Sequence, residues 1–166
     1  MILSDQDLKA RIEARSLAIH PLDETLIQPA SIDLRLGPDF IFEDGVRDHL
    51  EEGQSITIWP GAFMLGRTLE TVALPADLCA QVWGKSSWAR RGLLVHITAG
   101  WVDPGFVGTL TLEFSNLSHA PLLLTVGKPI CQLVFLQTLT PSLNPYGSEG
   151  RNSKYQFQHR TTESKL

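Results

Sequence analysis

From His20-Pro21 onward the chain breaks into short runs rich in Ile, Val, Leu, Thr and Phe, each cut off by Gly, Pro, Asp or Asn. The runs are Ser31–Leu36, Phe40–Phe42, Ser55–Ile58, Phe63–Thr68, Leu78–Trp83, Gly92–Ala99, Thr109–Ser115, Pro121–Val126 and Ile130–Leu136. Many short strands divided by turn residues predict an all-β sandwich or barrel. Long helical periodicity is absent, which disfavours a parallel α/β sheet. Only the first segment reads as a helix. Ser4 can cap it, and Leu8 and Ile12 share one face among Lys9, Arg11, Glu13 and Arg15.

The length of 166 residues suits one domain spanning 1–166. With 43% hydrophobic and 19% charged residues, disorder is excluded. The polar stretch 145–166 is expected to be a tail that folds only against something else. A net charge of −4 argues against wholesale binding to nucleic acid. A small anion in a local basic pocket stays open. No apolar run approaches the ~18 residues of a membrane span, and the start lacks a basic-then-apolar layout. No membrane partner is therefore expected, and two cysteines with no disulfide framework fit a reducing cytoplasm. Cys79 and Cys131 lie too far apart in sequence for a metal motif, and no histidine pair stands at ligand spacing, so no zinc centre is expected.

Candidate chemistry sits in four places. In Thr109–Ser115, Leu110, Leu112 and Phe114 alternate with Thr109, Thr111, Glu113 and Ser115. If the polar face lines a pocket, Glu113 becomes a candidate general base. Gly84-Lys85-Ser86-Ser87 resembles part of a phosphate loop, but Cys79 stands where the full motif needs Gly. Ser86 or Ser87 could instead cap the segment Trp88–Arg91, with Lys85 and Arg90 beside an anion. The block Gly92–Gly108 holds His96, expected to be an ordinary strand histidine, and Asp103, which before Pro-Gly could be a turn former. The tail carries Tyr146, Arg151, Lys154, Tyr155 and Gln158, a donor-rich aromatic set.

Together these blocks resemble the dCTP deaminase family of the trimeric dUTPase-like superfamily. The resemblance runs through Gln28–Gly37, Gly84–Leu93, Thr98–Gly108, Thr111–Asn116, Gly127–Leu133, Pro145-Tyr146 and Lys154–Gln158. It implies a distorted β-barrel or jelly roll that forms a homotrimer with active sites at subunit interfaces. It also implies zinc-independent hydrolysis of the 4-amino group of dCTP, with Mg²⁺ on the triphosphate. Glu113 matches the catalytic glutamate. Ser86 and the backbone of Ala99 match groups that place the water and the base, and Arg90 matches the arginine that supports the glutamate. Asp103 matches the residue receiving the sugar 3′-hydroxyl. Lys85, Ser87, Gln132, Tyr146, Lys154 and Gln158 fall at ligand positions, with Trp88 and Ala89 in the same turn and the backbone of Thr111 and Leu112 beside the base. The tail is expected to close over the nucleotide. Trp88 and Arg91 stand where leucines are usual, and Cys131 replaces a usual glycine and is expected to be a small buried residue.

Gly100–Gly108 also resembles the uridine-binding motif of dUTPases, in which the matching Asp activates water against the α-phosphate. Gly100-Trp101 marks the similarity to family members that carry dCTP on to dUMP and pyrophosphate. The alternatives are a deaminase stopping at dUTP, a dUTPase alone, or a non-catalytic trimeric nucleotide-binding module.

Overall fold

The computed structural model describes every residue, Met1–Leu166. In chain order the elements are α1 (Asp5–Glu13), β1 (Ala18–His20), β2 (Ile27–Gln28), β3 (Ser31–Arg35), β4 (Asp39–Phe42), β5 (Arg47–His49), β6 (Ser55–Ile58), β7 (Phe63–Ala73), β8 (Leu78–Gly84), α2 (Ser86–Ala89), β9 (Leu93–Leu94), β10 (Trp101–Val102), β11 (Val107–Asn116), β12 (Leu122–Thr125) and β13 (Pro129–Gln137). One sheet runs β5-β4-β7-β11-β9, with β1 also on β7. A second runs β10-β8-β13-β3-β2, and β12 pairs with β6. The expected all-β architecture is what forms.

The helix begins as its sequence dictates. Ser4 Oγ accepts from the Asp7 amide while the Asp7 carboxylate takes the Ser4 amide, a reciprocal capping box. Leu8 is fully buried. Between the large sheets Phe40, Phe114 and Phe135 are enclosed with Leu34, Leu36 and Leu112. Gly66 on β7 admits the Phe114 ring, because a Cβ there would lie 2.7 Å from its Cε2.

β7 alternates inside and outside along its whole length, and the pattern turns Thr68 and Glu70 inward. Burying polar groups demands partners. Glu70 takes the Arg35 amide at 2.8 Å and Arg35 Nε at 2.6 Å, tying β7 to β3 of the other sheet. Thr68 Oγ1 donates to the Glu70 carbonyl at 2.8 Å and accepts from the Leu110 amide at 2.9 Å. That second bond sits where the β11–β7 register slips between Thr109 and Thr111. The slip is a bulge, and bulges re-aim side chains.

Three expectations need correction. The run Gly92–Ala99 is strand only at Leu93–Leu94. Beyond Val95 the backbone leaves the sheet, since the Ile97 amide donates to the Glu113 carboxylate instead of to a neighbouring strand. His96 is consequently no strand residue. Neither Ser86 nor Ser87 caps α2: the helical turn starts at Ser86, with Lys85 as N-cap and no side-chain cap. What fastens α2 is Trp88, whose Nε1 donates to the Pro129 carbonyl at 3.2 Å and whose ring lies 4.9 Å from the Arg91 guanidinium carbon. The two departures from leucine therefore support each other. Replacing Trp88 with Leu should destabilise the chain by about 1–2 kcal/mol through the lost hydrogen bond and cation–π contact. Urea unfolding of the variant measures this, and an unchanged midpoint would deny the tether.

The tail, expected to need something to fold against, uses β11 of its own chain. Phe157 donates its amide to the Val107 carbonyl at 2.7 Å, and the Thr109 amide donates to the Gln158 carbonyl at 3.0 Å. The Gln158 side chain returns a bond to the Thr109 carbonyl at 2.6 Å. Phe157 adopts φ +59°, a left-handed turn that redirects the chain toward Thr161. Thr161 Oγ1 then donates to the Asp39 carbonyl at 2.6 Å.

Candidate active site

The bulge on β11, the loop after β9 and the folded-back tail enclose a cavity of about 620 Å³. That volume suits a small-molecule ligand. Ala99, Trp101, Asp103, Thr111, Glu113, Tyr146 and Gln158 all line it. Its walls are largely apolar, with Phe63, Leu65, Val82, Phe106, Leu110 and Tyr155 among them. Two polar atoms in its lining are buried with no partner, Thr111 Oγ1 and Gln158 Oε1. A buried hydroxyl and a buried amide oxygen left open are groups that a ligand can satisfy.

Glu113 is the one carboxylate of β11. Strand alternation points it away from Phe114 and Leu112 and into the cavity. Its Oε2 accepts from the Ile97 amide at 2.8 Å, and no other hydrogen bond reaches the carboxylate. One oxygen is thus oriented and the other is left to act on whatever enters. Asp103 faces the same cavity from the turn after β10. The turn is closed by the tail, where Tyr146 donates its amide to the Pro104 carbonyl at 2.7 Å. Phe106 and Tyr146 rings pack 5.7 Å apart behind it.

Ala99 and Trp101, on either side of Gly100 at the start of β10, line the same cavity. Gly100 is buried, and a Cβ there would lie 3.0 Å from the Val82 carbonyl oxygen and 3.1 Å from His96 Cε1. The Val82 amide donates to the Gly100 carbonyl at 2.7 Å, pinning the loop to β8. A side chain at position 100 would press on the Val82 carbonyl and the His96 ring, beside the cavity-wall residues Ala99 and Trp101.

The other sequence candidates are elsewhere. Lys85, Ser86 and Gln132 border a second cavity of about 430 Å³ with Asp33 and Ser31, and it shares no lining residue with the first. Ser86, Ser87, Ala89 and Arg90 are exposed, and the Ser86, Ser87 and Arg90 side chains make no hydrogen bond within the chain. Lys154 is exposed. Leu112 is fully buried. Sequence reasoning passed over Asp33. Period-two alternation in Ser31-Ile32-Asp33 puts Ser31 and Asp33 on one face, and that signal could have found it.

Both cysteines are free and buried, Cys131 completely. Burial pushes both thiols above their ordinary range, so neither is a thiolate nucleophile. Cys131 is the small buried residue expected of it.

An apolar β-rich cavity with an oriented carboxylate, orphaned polar atoms and a tail laid across its edge defines a β protein built around a small-molecule site. Sequence and structure comparisons agree on which. A family profile described as dCTP deaminase-like matches residues 2–138. The chain is 45% identical to a protein of Dictyoglomus turgidum named dCTP deaminase, dUMP-forming, over 100% of this chain and 95% of that one. It is 46% identical to a protein of Haloarcula marismortui named dCTP deaminase, over 100% and 95%. The crystal structure of 2′-deoxycytidine 5′-triphosphate deaminase from Agrobacterium tumefaciens superimposes with a TM-score of 0.69 at 25% identity, covering 81% of this chain. The present chain spans 47% of that structure's length. Phage dUTPases share the fold alone, with a TM-score of 0.53 at 15% identity. The chain belongs to the dCTP deaminase-like family.

Proposed function

We propose that the protein hydrolyses dCTP to dUTP and ammonia, then cleaves dUTP to dUMP and pyrophosphate. The observation that carries the reading is Glu113, a carboxylate held through one oxygen by the Ile97 amide inside a mostly apolar cavity. Glu113 takes a proton from water as the oxygen attacks C4 of the cytosine. It returns that proton to N3; the hydroxyl now on C4 then gives up its own proton to the amino group as the C4–N bond breaks, so that ammonia leaves and a carbonyl remains. The Ala99 backbone and the open Thr111 hydroxyl meet the base, Asp103 receives the sugar 3′-hydroxyl, and Tyr146 and Gln158 close the tail side.

The remaining groups come from a second copy. Ser86 and Arg90 are exposed and unpaired, while Trp83, Ile97 and Trp101 present exposed apolar surface near the two half-sites. A homotrimer would unite these halves: Ser86 of one subunit positions the water, and Arg90 supports Glu113 of the next. Lys85, Ser87, Gln132 and Lys154 then meet the phosphates. Magnesium enters with the triphosphate and neutralises part of its charge. The ammonium and amide donors of the second cavity fit phosphate oxygens, so the ion is held through its substrate and not in a protein cage. No zinc is used in this scheme.

For the second step Asp103 activates water against the α-phosphate, and the Gly100 loop keeps it in place. Incubation with dCTP and Mg²⁺, with ammonia assayed and nucleotides separated, tests the scheme. Ammonia with dUMP and pyrophosphate is expected; ammonia with dUTP would remove the second step. Cleaved dUTP with intact dCTP would leave a dUTPase. Gly100→Ala is expected to slow dUMP formation by about tenfold and to let dUTP accumulate, since a methyl crowding the Val82 carbonyl and His96 forces a shift of a few tenths of an ångström beside the site. Chromatography of the product ratio reads this directly, and an unchanged ratio would separate the loop from the second step. A cytoplasmic setting is in keeping with a nucleotide substrate.

A further inference from the structure

The second cavity is built around a charge pair. Asp33 on β3 has a side chain only 5% exposed, and Lys85 Nζ donates to its Oδ2. Its Oδ1 is buried with no partner, so Lys85 is the one hydrogen-bond partner this carboxylate has. Gln132 stands directly opposite Asp33 on β13, and residues paired in this way project from the same sheet face. The Gln132 Oε1 accepts from Ser31 Oγ at 3.2 Å, which turns its amide nitrogen away from Ser31. Ser31, Asp33, Lys85, Ser86 and Gln132 line one space.

A carboxylate is left in such a place only if something compensates its desolvation. Lysine, for its part, is a point charge on a flexible stem, and ordering it costs rotamer entropy. Each of the two solves the other's problem. An ammonium also has three donors, and Asp33 Oδ2 occupies one of them. Two remain for oxygens in the cavity.

We propose that Asp33 is a positioning residue for the phosphate subsite: it holds Lys85 on the cavity wall with two donors free for a polyphosphate. The proposal rests on the assignment of Lys85 to the nucleotide phosphates. Asp33 touches no substrate and acts only through Lys85, so its effect falls on binding and not on the chemistry at C4.

A double-mutant cycle on the full-length protein tests this, with the KM and kcat of dCTP deamination and the inhibition constant of inorganic triphosphate as readouts. Asp33→Asn and Lys85→Met are each expected to raise both KM and the triphosphate inhibition constant by about 10- to 100-fold, with kcat changed by no more than about threefold. The double variant is expected to be no worse than Lys85→Met, because the two residues act as one unit. Multiplying effects would overturn the proposal, as would an Asp33→Asn variant indistinguishable from the native protein while Lys85→Met is impaired. That second result leaves the phosphate assignment standing. If Lys85→Met alters neither constant, the phosphate assignment itself fails and the proposal with it. Thermal unfolding accompanies each variant. Should Asn at position 33 prevent folding, Asp33→Glu enters the same cycle, since it keeps the charge but displaces it.

Discussion

Replacing Glu113 with Gln is expected to lower kcat for ammonia release from dCTP by about 10²- to 10⁴-fold, while dCTP still binds with near-native affinity. The substitution is close to isosteric. The Gln carbonyl oxygen can still accept from the Ile97 amide, so the loop after Val95 keeps its one tie to β11 at this point. What disappears is the basic oxygen facing the cavity. Glu113→Ala would be a poorer probe, because it also leaves the Ile97 amide without its acceptor. Rapid-quench measurement of ammonia together with calorimetric titration of dCTP separates the chemical step from binding. A Gln variant that turns over dCTP at the native rate would dismiss Glu113 as the base. A variant that no longer binds dCTP would make it a ligand-binding residue.

The largest effect on stability is expected at Glu70. Its side chain is 2% exposed and carries two bonds from Arg35, one to the backbone amide and one to the guanidinium. Glu70→Ala leaves the Arg35 amide of β3 without its acceptor and the guanidinium with only the Pro21 carbonyl at 3.4 Å, in the strand that also bears Asp33. Breaking a buried pair on one side costs about 3–5 kcal/mol, which for a chain of this size lowers the melting temperature by about 6–20 °C. Glu70→Gln should be milder, since an amide oxygen can still serve the Arg35 amide. Scanning calorimetry at a fixed protein concentration reads both. A shift below about 2 °C for the alanine variant would mean that the sheets are held by apolar packing alone.

Much of the molecule was legible in the one-dimensional pattern. The alternation in Thr109–Ser115 orients Glu113, and the structure places Leu110, Leu112 and Phe114 inside as the pattern requires. Ser4 and Asp7 stand three apart, so the capping box needs nothing beyond its own turn. The turn residues divided many of the strands at nearly the right places, although β7 runs on to Ala73, β1 and β5 lie outside the expected runs, and the two-residue pairings of β2, β9 and β10 are too short for periodicity to mark. The residue types of the site were legible too, because the blocks that carry them keep their order along the chain.

Other features depend on groups distant in sequence. Gly92–Ala99 has the composition of a strand, yet its backbone turns to the Glu113 side chain, a partner that local propensity cannot anticipate. Cavity walls that pair Thr111 with Gln158, or Asp103 with Tyr146, close over dozens of intervening residues. The tail pairs with β11 because the Val107–Thr109 edge offers open amides and carbonyls, and unpaired backbone groups must find partners. Asp33 and Lys85 meet only because β13 brings β3 and β8 to its two sides. The sequence by itself thus determined the strands, the helix cap and the chemical groups available, since alternation and capping act within a few residues. Tertiary structure alone decided that these groups divide between two cavities and that Gly100 is packed tightly against Val82 and His96, because sheet register and loop closure set those distances.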